Sequence, residues 1–254
     1  MGRDLYRDEK NFAFEPQKTE AKLADFENEA SKIIRRFLTE DRITLTMQED
    51  SLLRLFLALM SFRSKRVSKF FDELLSKKSK KFYSRYQSDG DYEDLWKRNI
   101  YHITTCRSIQ QVIEHPDIDE PIKVFLHRDT INLFGLYFVV AERKDCDEFI
   151  LGDCYPVVVT GDFMNLHLYS VYPISPDRVV LMFSRGAEGT PRNVVGFRPC
   201  VLRPPKTNDD GTYTIRVRRL YAEEIRKINS MIFKEAEEGI IYSTPITTKT
   251  TDNH

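Results

Sequence analysis

Two stretches decide the fold: Glu148-Phe-Ile-Leu-Gly-Asp-Cys-Tyr-Pro-Val-Val158 and, further along the chain, Tyr172-Pro-Ile-Ser-Pro-Asp-Arg-Val-Val-Leu-Met-Phe183. Each joins an apolar run of β-forming residues to a polar turn that carries proline. Such runs predict strands of a sheet, with polar side chains held at the strand ends. The acid Asp153, which stands beside Cys154 in the first turn, is therefore a candidate site residue.

The second half of the chain continues this pattern, with apolar runs separated by clusters of Gly, Pro, Asp and Asn. The predicted strands cover residues 133–141, 148–151, 157–160, 168–171, 178–183 and 213–219. An Asp-Gly pair predicts a hairpin turn over 207–212. A last helix over 222–238 brings Ile225, Ile228 and Ile232 to one face, and Gly239 stands where a C-cap glycine belongs.

The first half of the chain has the period of helices. Thr19 is a cap for a helix whose stripe is Leu23, Phe26, Ala30, Ile33, Ile34 and Phe37. Thr46 opens a second helix, because Glu49 three residues later completes a capping box. The stripe of this helix is Leu52, Leu53, Phe56, Leu59 and Met60, continued by Phe70 and Phe71. Shorter helices are predicted over 92–100 and 104–114, and from Asp119 to about residue 132.

These patterns predict an α+β fold, in which a helical N-terminal half packs with an antiparallel-rich mixed sheet and a closing C-terminal helix. We predict one domain over residues 1–243, mainly helical over 19–132 and mainly β over 133–243. A tail over 244–254 is predicted to be disordered, because it is rich in Thr and has no apolar period.

Composition sets limits on function. Lys plus Arg and Asp plus Glu number 39 each, so no global charge directs the chain to nucleic acid or to a membrane. The four cysteines form no CxxC pair, the N-terminus has no apolar core of a signal peptide, and no apolar run approaches a membrane span. A soluble, cytoplasmic protein is predicted. No nucleotide-binding or hydrolase motif is present. The cofactor, the metal and the oligomeric state stay open.

Three segments resemble the bacterial and fungal domain-of-unknown-function family numbered four-two-three-eight. They are an acidic and then apolar helix over 50–66, the Phe-Ile-x-x-Asp strand motif over 149–156 with Pro-Ile-Ser-Pro at 173–176, and a final helix with Asn229 that leads to Tyr242-Ser243. The likeness spans roughly residues 10–243, and the order of the segments is more specific than any one of them.

The chain departs from the family pattern at two places. No His-Tyr-Val-Pro-type segment precedes Asp8, and the family's Ser-Asp-Asn-Pro is replaced by Gly152-Asp-Cys-Tyr-Pro156. The resemblance therefore implies a divergent member or a segment missing upstream, and chemistry that needs those residues would be impaired. It implies no activity, because none is securely assigned to the family.

Asp153 has two interpretations. A carboxylate at a strand end beside a Pro-restricted turn can act as a general base or hold a metal, facing a cleft with Ser175 and Asp177. Alternatively, it accepts hydrogen bonds from nearby backbone N–H groups, as Asp does in many turns.

Asp129 with Glu142 and Lys144 has the spacing of metal-dependent nucleases of the PD-(D/E)xK kind. Charges at the polar end of a strand are also common without catalysis. The histidines His102, His115, His127 and His167 share no i, i+4 relation that would make a metal-binding helix face.

Positive charge is concentrated in two places. A basic segment from Arg63 to Arg85 interleaves aromatic residues with cations and includes Lys77, Lys78, Lys80, Lys81 and Arg85. A second basic cluster near the C-terminal hairpin contains Arg192, Arg198, Arg203, Arg216, Arg218 and Arg219.

These cations predict a binding or interaction module for an anionic partner such as nucleic acid, or for another protein, with no membrane. The alternative is a metal-dependent hydrolase or nuclease of a toxin or defence system, using Asp153 or the Asp129/Glu142/Lys144 set.

Overall fold

The computed structural model describes residues 18–62, 93–120, 122–123, 136–143, 147–154, 156–160, 167–237 and 239–242. Their contacts form two compact units. The helical unit takes the described residues of Met1–Thr39, Ile43–Gly135 and Lys206–Thr214, and the sheet unit takes those of Glu40–Arg42, Leu136–Pro205 and Ile215–His254. Helices and mostly antiparallel strands together make the α+β fold that the sequence predicts. The prediction of one domain over 1–243 stays a prediction.

The helical unit is built around four helices among the described residues: α1 (Lys18–Thr39), α2 (Met47–Phe62), α3 (Glu93–Thr105) and α4 (Ile109–Glu114). The predicted stripe of α1 is confirmed at five positions, where the side chains are at most 4% exposed: Leu23, Phe26, Ala30, Ile33 and Phe37. Burying these side chains removes apolar surface from water, at about 1.5–3 kcal/mol for each large one.

Helix α2 begins where the sequence predicts. Glu49 Oε2 accepts the Thr46 backbone N–H at 2.9 Å, and Thr46 Oγ1 accepts the Glu49 N–H at 3.2 Å, so the capping box is confirmed. Its buried surface is broader than the predicted stripe, because Leu55 and Leu57 are also fully buried while Phe56 is half-buried. The continuation of the stripe at Phe70 and Phe71 lies outside the described residues.

The next helices differ from the prediction at their boundaries. Helix α3 runs unbroken to Thr105, and α4 begins only at Ile109, where Ser108 Oγ accepts the Gln111 N–H at 3.2 Å. The predicted helix start at Asp119 is confirmed by hydrogen bonds from the Ile122 and Lys123 backbone to its carbonyl. The rest of that helix lies outside the described residues.

A small sheet has the strand order β1-β8-β7, with β1 at Arg42–Leu45, β7 at Lys206–Thr207 and β8 at Tyr213–Arg216. Strands β7 and β8 form the predicted hairpin, in which Gly211 has a φ of 79° that an L side chain rarely adopts. The sequence did not predict β1, a four-residue strand between two helices.

The sheet unit contains a five-stranded sheet in the order β4-β5-β6-β2-β9. Its strands are β2 (Leu136–Arg143), β4 (Val157–Thr160), β5 (His167–Pro173), β6 (Arg178–Ser184) and β9 (Arg218–Leu220). All neighbouring pairs are antiparallel except β2 with β9, which is parallel. The single strand predicted over 213–219 is instead two strands of different sheets, because β8 pairs with β7 and lies next to β1, whereas β9 pairs with β2.

Helix α5 is the single turn Arg192–Val195. Helix α6 (Ala222–Glu235) packs Ile225, Ile228 and Ile232 into one core with side chains of the five-stranded sheet, which confirms the closing helix. Its predicted end is wrong. The C-cap is Ala236 in an extended conformation, not Gly239. The chain leaves the helix early because β10 (Ile240–Ile241) pairs with β3 (Leu151–Gly152).

Candidate functional site

The candidate site is an arginine cluster formed by Arg203, Arg216 and Arg218 of the sheet unit. Arg216 ends β8 and Arg218 opens β9, so the two flank Val217, while Arg203 follows the buried Leu202. Burial is the main cause that lowers the pKa of Arg218. Cys200 opposes this shift, whereas repulsion from Arg203 and Arg216 lowers the pKa further. Arg203 and Arg216 therefore each lie close enough to Arg218 to repel its guanidinium group.

The side chains of the arginine cluster have no hydrogen bond and no ion pair within the part of the chain that the structure describes. Arg203 and Arg216 are exposed and Arg218 is half-buried. An arginine stays charged at every pH that a protein experiences. The cluster thus keeps three cations together without an acid to offset them.

The other members of the predicted second basic cluster are neutralised by acids. Arg192 pairs with Glu223 at 3.0 Å, Arg219 with Glu142 at 3.3 Å, and Arg198 with Glu224 at 2.9 Å. The six arginines of the sequence pattern therefore separate into three with acidic partners and three without.

Arg198 and Glu224 form the most buried of these pairs, and its role is structural. The Glu224 side chain is 1% exposed and accepts hydrogen bonds from the Arg198 backbone and side chain and from the Tyr221 backbone. The Arg198 guanidinium also lies 3.8 Å from the centre of the Tyr221 ring. Because protein donors already surround the Glu224 carboxylate, it is poorly suited to bind a ligand.

Glu142 lies near the end of β2, as the nuclease pattern predicts. Its Oε2 contacts Arg178 at 3.3 Å and its Oε1 contacts Arg219 at 3.3 Å, so both carboxylate oxygens face arginines rather than an open cavity. Asp129 and Lys144, the other members of the pattern, lie outside the described residues.

Asp177 has a similar environment, because its carboxylate pairs with Arg143 at 2.5 Å. Ser175 forms a local turn, in which its hydroxyl accepts the N–H groups of Asp177 and Arg178. Within the described residues, the sets of three side chains with metal-ligand spacing do not include Glu142, Asp153 or Asp177.

Asp153 follows strand β3 and is exposed. Its Oδ1 accepts the Glu237 backbone N–H at 3.0 Å, and its own N–H bonds to the Gly239 carbonyl at 3.3 Å. Gly152 permits this close approach, since a Cβ there would lie 3.0 Å from Ile232 Cγ2. The carboxylate therefore joins the end of β3 to the segment after α6, which favours the backbone-acceptor interpretation over a general base.

We expect Asp153→Asn to change the free energy of unfolding by less than about 1 kcal/mol, because the Asn carbonyl still accepts the Glu237 N–H. Urea unfolding followed by circular dichroism measures this change, and Asp153→Ala, which removes the acceptor, should cost more. Calorimetric titration with Mg²⁺ and Mn²⁺ should give equal heats for the wild type and Asp153→Asn. Metal binding that Asp153→Asn abolishes would contradict the backbone-acceptor interpretation.

The structure brings together two histidines that sequence spacing did not connect. The rings of His102 and His115 lie 5.0 Å apart, and Asp117 joins them in a possible metal-ligand set. The sequence signal was one histidine between the two short predicted helices and another just after the second, and counting positions i and i+4 on one helix does not detect such a pair.

The basic segment proposed to bind an anion lies outside the described residues, including Lys77, Lys78, Lys80, Lys81 and Arg85. Of the predicted binding residues, the structure therefore places Arg216 and Arg218, and it adds Arg203 beside them.

Fold and site together define an α+β protein with an unneutralised arginine cluster on its sheet unit. None of the helices in the described ranges is long and apolar enough to cross a membrane. The family model described as "Protein of unknown function (DUF4238)" matches residues 1–245, and the chain belongs to this family. No curated protein and no solved structure matches the chain.

Proposed function

We propose that this protein is a binding module for an anionic partner, and that the partner is nucleic acid. The observation that carries the proposal is the arginine cluster, whose three cations lie together without an acidic partner in the described chain. A cytoplasmic location is part of the same proposal.

Electrostatics supports an anionic ligand. Like charges held at short range repel, and partial burial of Arg218 strengthens this repulsion because fewer water molecules screen it. A bound anion would offset the repulsion. The planar guanidinium fork matches the two oxygens of a phosphate, and several arginines in succession match a repeating phosphate backbone.

The acids that pair with other arginines of the sheet unit also support an anionic ligand for the arginine cluster. Three other arginines of this unit are neutralised by an acid: Arg219 by Glu142, Arg192 by Glu223 and Arg198 by Glu224. The three arginines of the cluster have no such acid among the described residues. The basic segment with Lys77, Lys78, Lys80 and Lys81 would supply further phosphate contacts, and this part of the proposal rests on sequence alone.

The alternative, a metal-dependent hydrolase or nuclease of a toxin or defence system, receives less support. Asp153 accepts a backbone N–H and Glu142 faces two arginines, so neither carboxylate is placed as an open metal ligand. Cleavage of the nucleic-acid probe in Mg²⁺ or Mn²⁺ would favour this alternative over simple binding.

We expect the full chain to bind labelled RNA or DNA oligonucleotides with an affinity that falls steeply as salt increases. Changing Arg203, Arg216 and Arg218 together to Gln should flatten the slope of log affinity against log salt by about 2–3 units, because about one counterion is released for each phosphate neutralised. Changing Lys77, Lys78, Lys80 and Lys81 to Ala should flatten it by about 3–4 units. Fluorescence anisotropy across a salt series measures both.

Arg192→Gln is the matched control, since Arg192 is an exposed arginine of the same unit that already pairs with Glu223. It should leave the salt slope nearly unchanged. Failure to bind RNA or DNA at low salt, binding that does not depend on salt, or an equal effect of the control would each overturn the proposal.

A further inference from the structure

Three potential metal ligands converge in the helical unit: His102, His115 and Asp117. One ligand atom of each lies within 4.8 Å of the others, and the two imidazole rings are 5.0 Å apart at an angle of 51°. Both histidines are half-buried and Asp117 is exposed, so the group borders solvent.

Short helices and their caps hold these residues in place. His102 is in the last turn of α3, and the buried Ile103 and Cys106 fix that turn against the core of the unit. His115 is the C-cap of α4, where its backbone N–H bonds to the Val112 carbonyl at 3.3 Å. The backbone thus positions both rings independently of any contact between them.

A second hydrogen bond links the remaining ligand to this turn. The Asp117 backbone N–H donates to His115 Nδ1 at 3.2 Å, so two of the three ligands belong to one closed turn. The turn therefore places Asp117 next to the His115 ring before any metal ion binds.

We propose that His102, His115 and Asp117 bind a divalent transition-metal ion of the Zn²⁺ type. Two imidazole nitrogens and one carboxylate oxygen are a ligand set that Zn²⁺ accepts, and three protein ligands leave a fourth position for water or another ligand. Mg²⁺ and Ca²⁺ prefer oxygen ligands throughout and fit this set poorly.

Metal binding requires only a small decrease in the distances between the three ligand atoms. Ligand atoms of a tetrahedral site lie roughly 3.4 Å apart when the metal bonds are about 2.1 Å long. The three ligand atoms lie within 4.8 Å of one another, so no separation exceeds the tetrahedral value by more than about 1.4 Å. The side chain of Asp117 is exposed and can rotate toward the two rings. Either ring nitrogen of His115 can supply the lone pair, and the hydrogen bond from the Asp117 N–H is given up in both cases, because an imidazole that binds a metal ion through one nitrogen carries its proton on the other.

The neighbouring polar groups are engaged elsewhere. The Cys106 thiol lies 3.5 Å from the His102 carbonyl and donates to it. Glu114 accepts a hydrogen bond from Gln110. The proposal concerns residues distinct from the arginine cluster and does not rest on the proposed function.

Calorimetric titration of the untagged full chain with ZnCl₂ tests the site. We expect one Zn²⁺ ion per chain, with Mg²⁺ giving no comparable heat. His115→Ala and Asp117→Ala should each weaken Zn²⁺ binding about tenfold or more, because each removes one of three ligands. Co²⁺ in place of Zn²⁺ should give a visible absorption band for the wild type, reduced in both variants.

Glu114→Ala is the matched control, since it removes an exposed carboxylate next to His115 that is outside the ligand set. It should bind Zn²⁺ as the wild type does. Asp117 is exposed, so Asp117→Ala is expected to fold, and circular dichroism verifies this. Absence of Zn²⁺ binding in the wild type, or binding that His115→Ala and Asp117→Ala leave unchanged, would overturn the proposal.

Discussion

Replacing Glu224 with Gln is expected to lower the free energy of unfolding by about 3–5 kcal/mol, the range observed when one partner of a buried ion pair is removed. Glu224 has a side-chain exposure of 1% and accepts hydrogen bonds from Arg198 Nε, Arg198 Nη2 and the Tyr221 N–H. A Gln side chain has nearly the same shape, but its amide group is a donor that faces these donors. The loss should appear as a lower urea midpoint in circular dichroism.

Glu223→Gln provides the comparison, because Glu223 precedes Glu224 on the same helix, is 79% exposed and pairs with the exposed Arg192. Exposed ion pairs contribute about 0–1 kcal/mol, so this variant should unfold close to the wild type. A loss below about 1 kcal/mol for Glu224→Gln would show that the pair does not hold α6 in place.

Elements whose signals are local were predictable from sequence. The capping box of Thr46 and Glu49 needs residues only three positions apart, and it marked the start of α2 correctly. The strand over Val157–Thr160 is bounded by Pro156 on one side and polar residues on the other, and its bounds were predicted without error.

Elements that depend on distant partners were not predictable in the same way. Strand β1 is too short to show a period, and it is a strand because β8 lies beside it. The division between β8 and β9 arises because the two strands belong to different sheets, and β2, the partner of β9, lies far from it in sequence. Gly239 was interpreted as a C-cap from its position alone, whereas the pairing of Ile240 with Gly152 decides where α6 ends.

The candidate sites also combine features that local sequence signals predict with contacts between distant residues that they do not predict. Composition revealed a run of arginines near the C-terminal hairpin, but it could not tell which of them have acidic partners. Glu142 reaches Arg219 from 77 positions away, so the separation of Arg219 from the arginine cluster is visible only in the structure. His102 and His115 meet because a short connection turns α4 back beside the end of α3, and no spacing rule for a single helix contains that relation.

Phe197→Ala is the second change expected to have a large effect, with a loss of about 3–5 kcal/mol in the free energy of unfolding. Phe197 is fully buried in the core of the sheet unit. Its ring meets Tyr169 at 5.2 Å and 80°, and Phe183 at 5.4 Å and 86°, both edge-to-face. The truncation therefore removes buried apolar area, leaves a cavity, and breaks two aromatic pairs that contribute about 0.5–1.5 kcal/mol each beyond their area.

Phe233→Ala is the matched control, because it removes the same side chain from the same unit at a position that is 66% exposed. Its effect should stay within about 0.5 kcal/mol. Phe197 lies outside the helices and strands, so no periodic pattern in the sequence indicated that it is buried. Its contribution to stability comes from packing against aromatic residues of two strands. Equal urea midpoints for the two variants would mean that the three rings do not form a packed core, and the position of the segment 185–202 on the sheet would then be wrong.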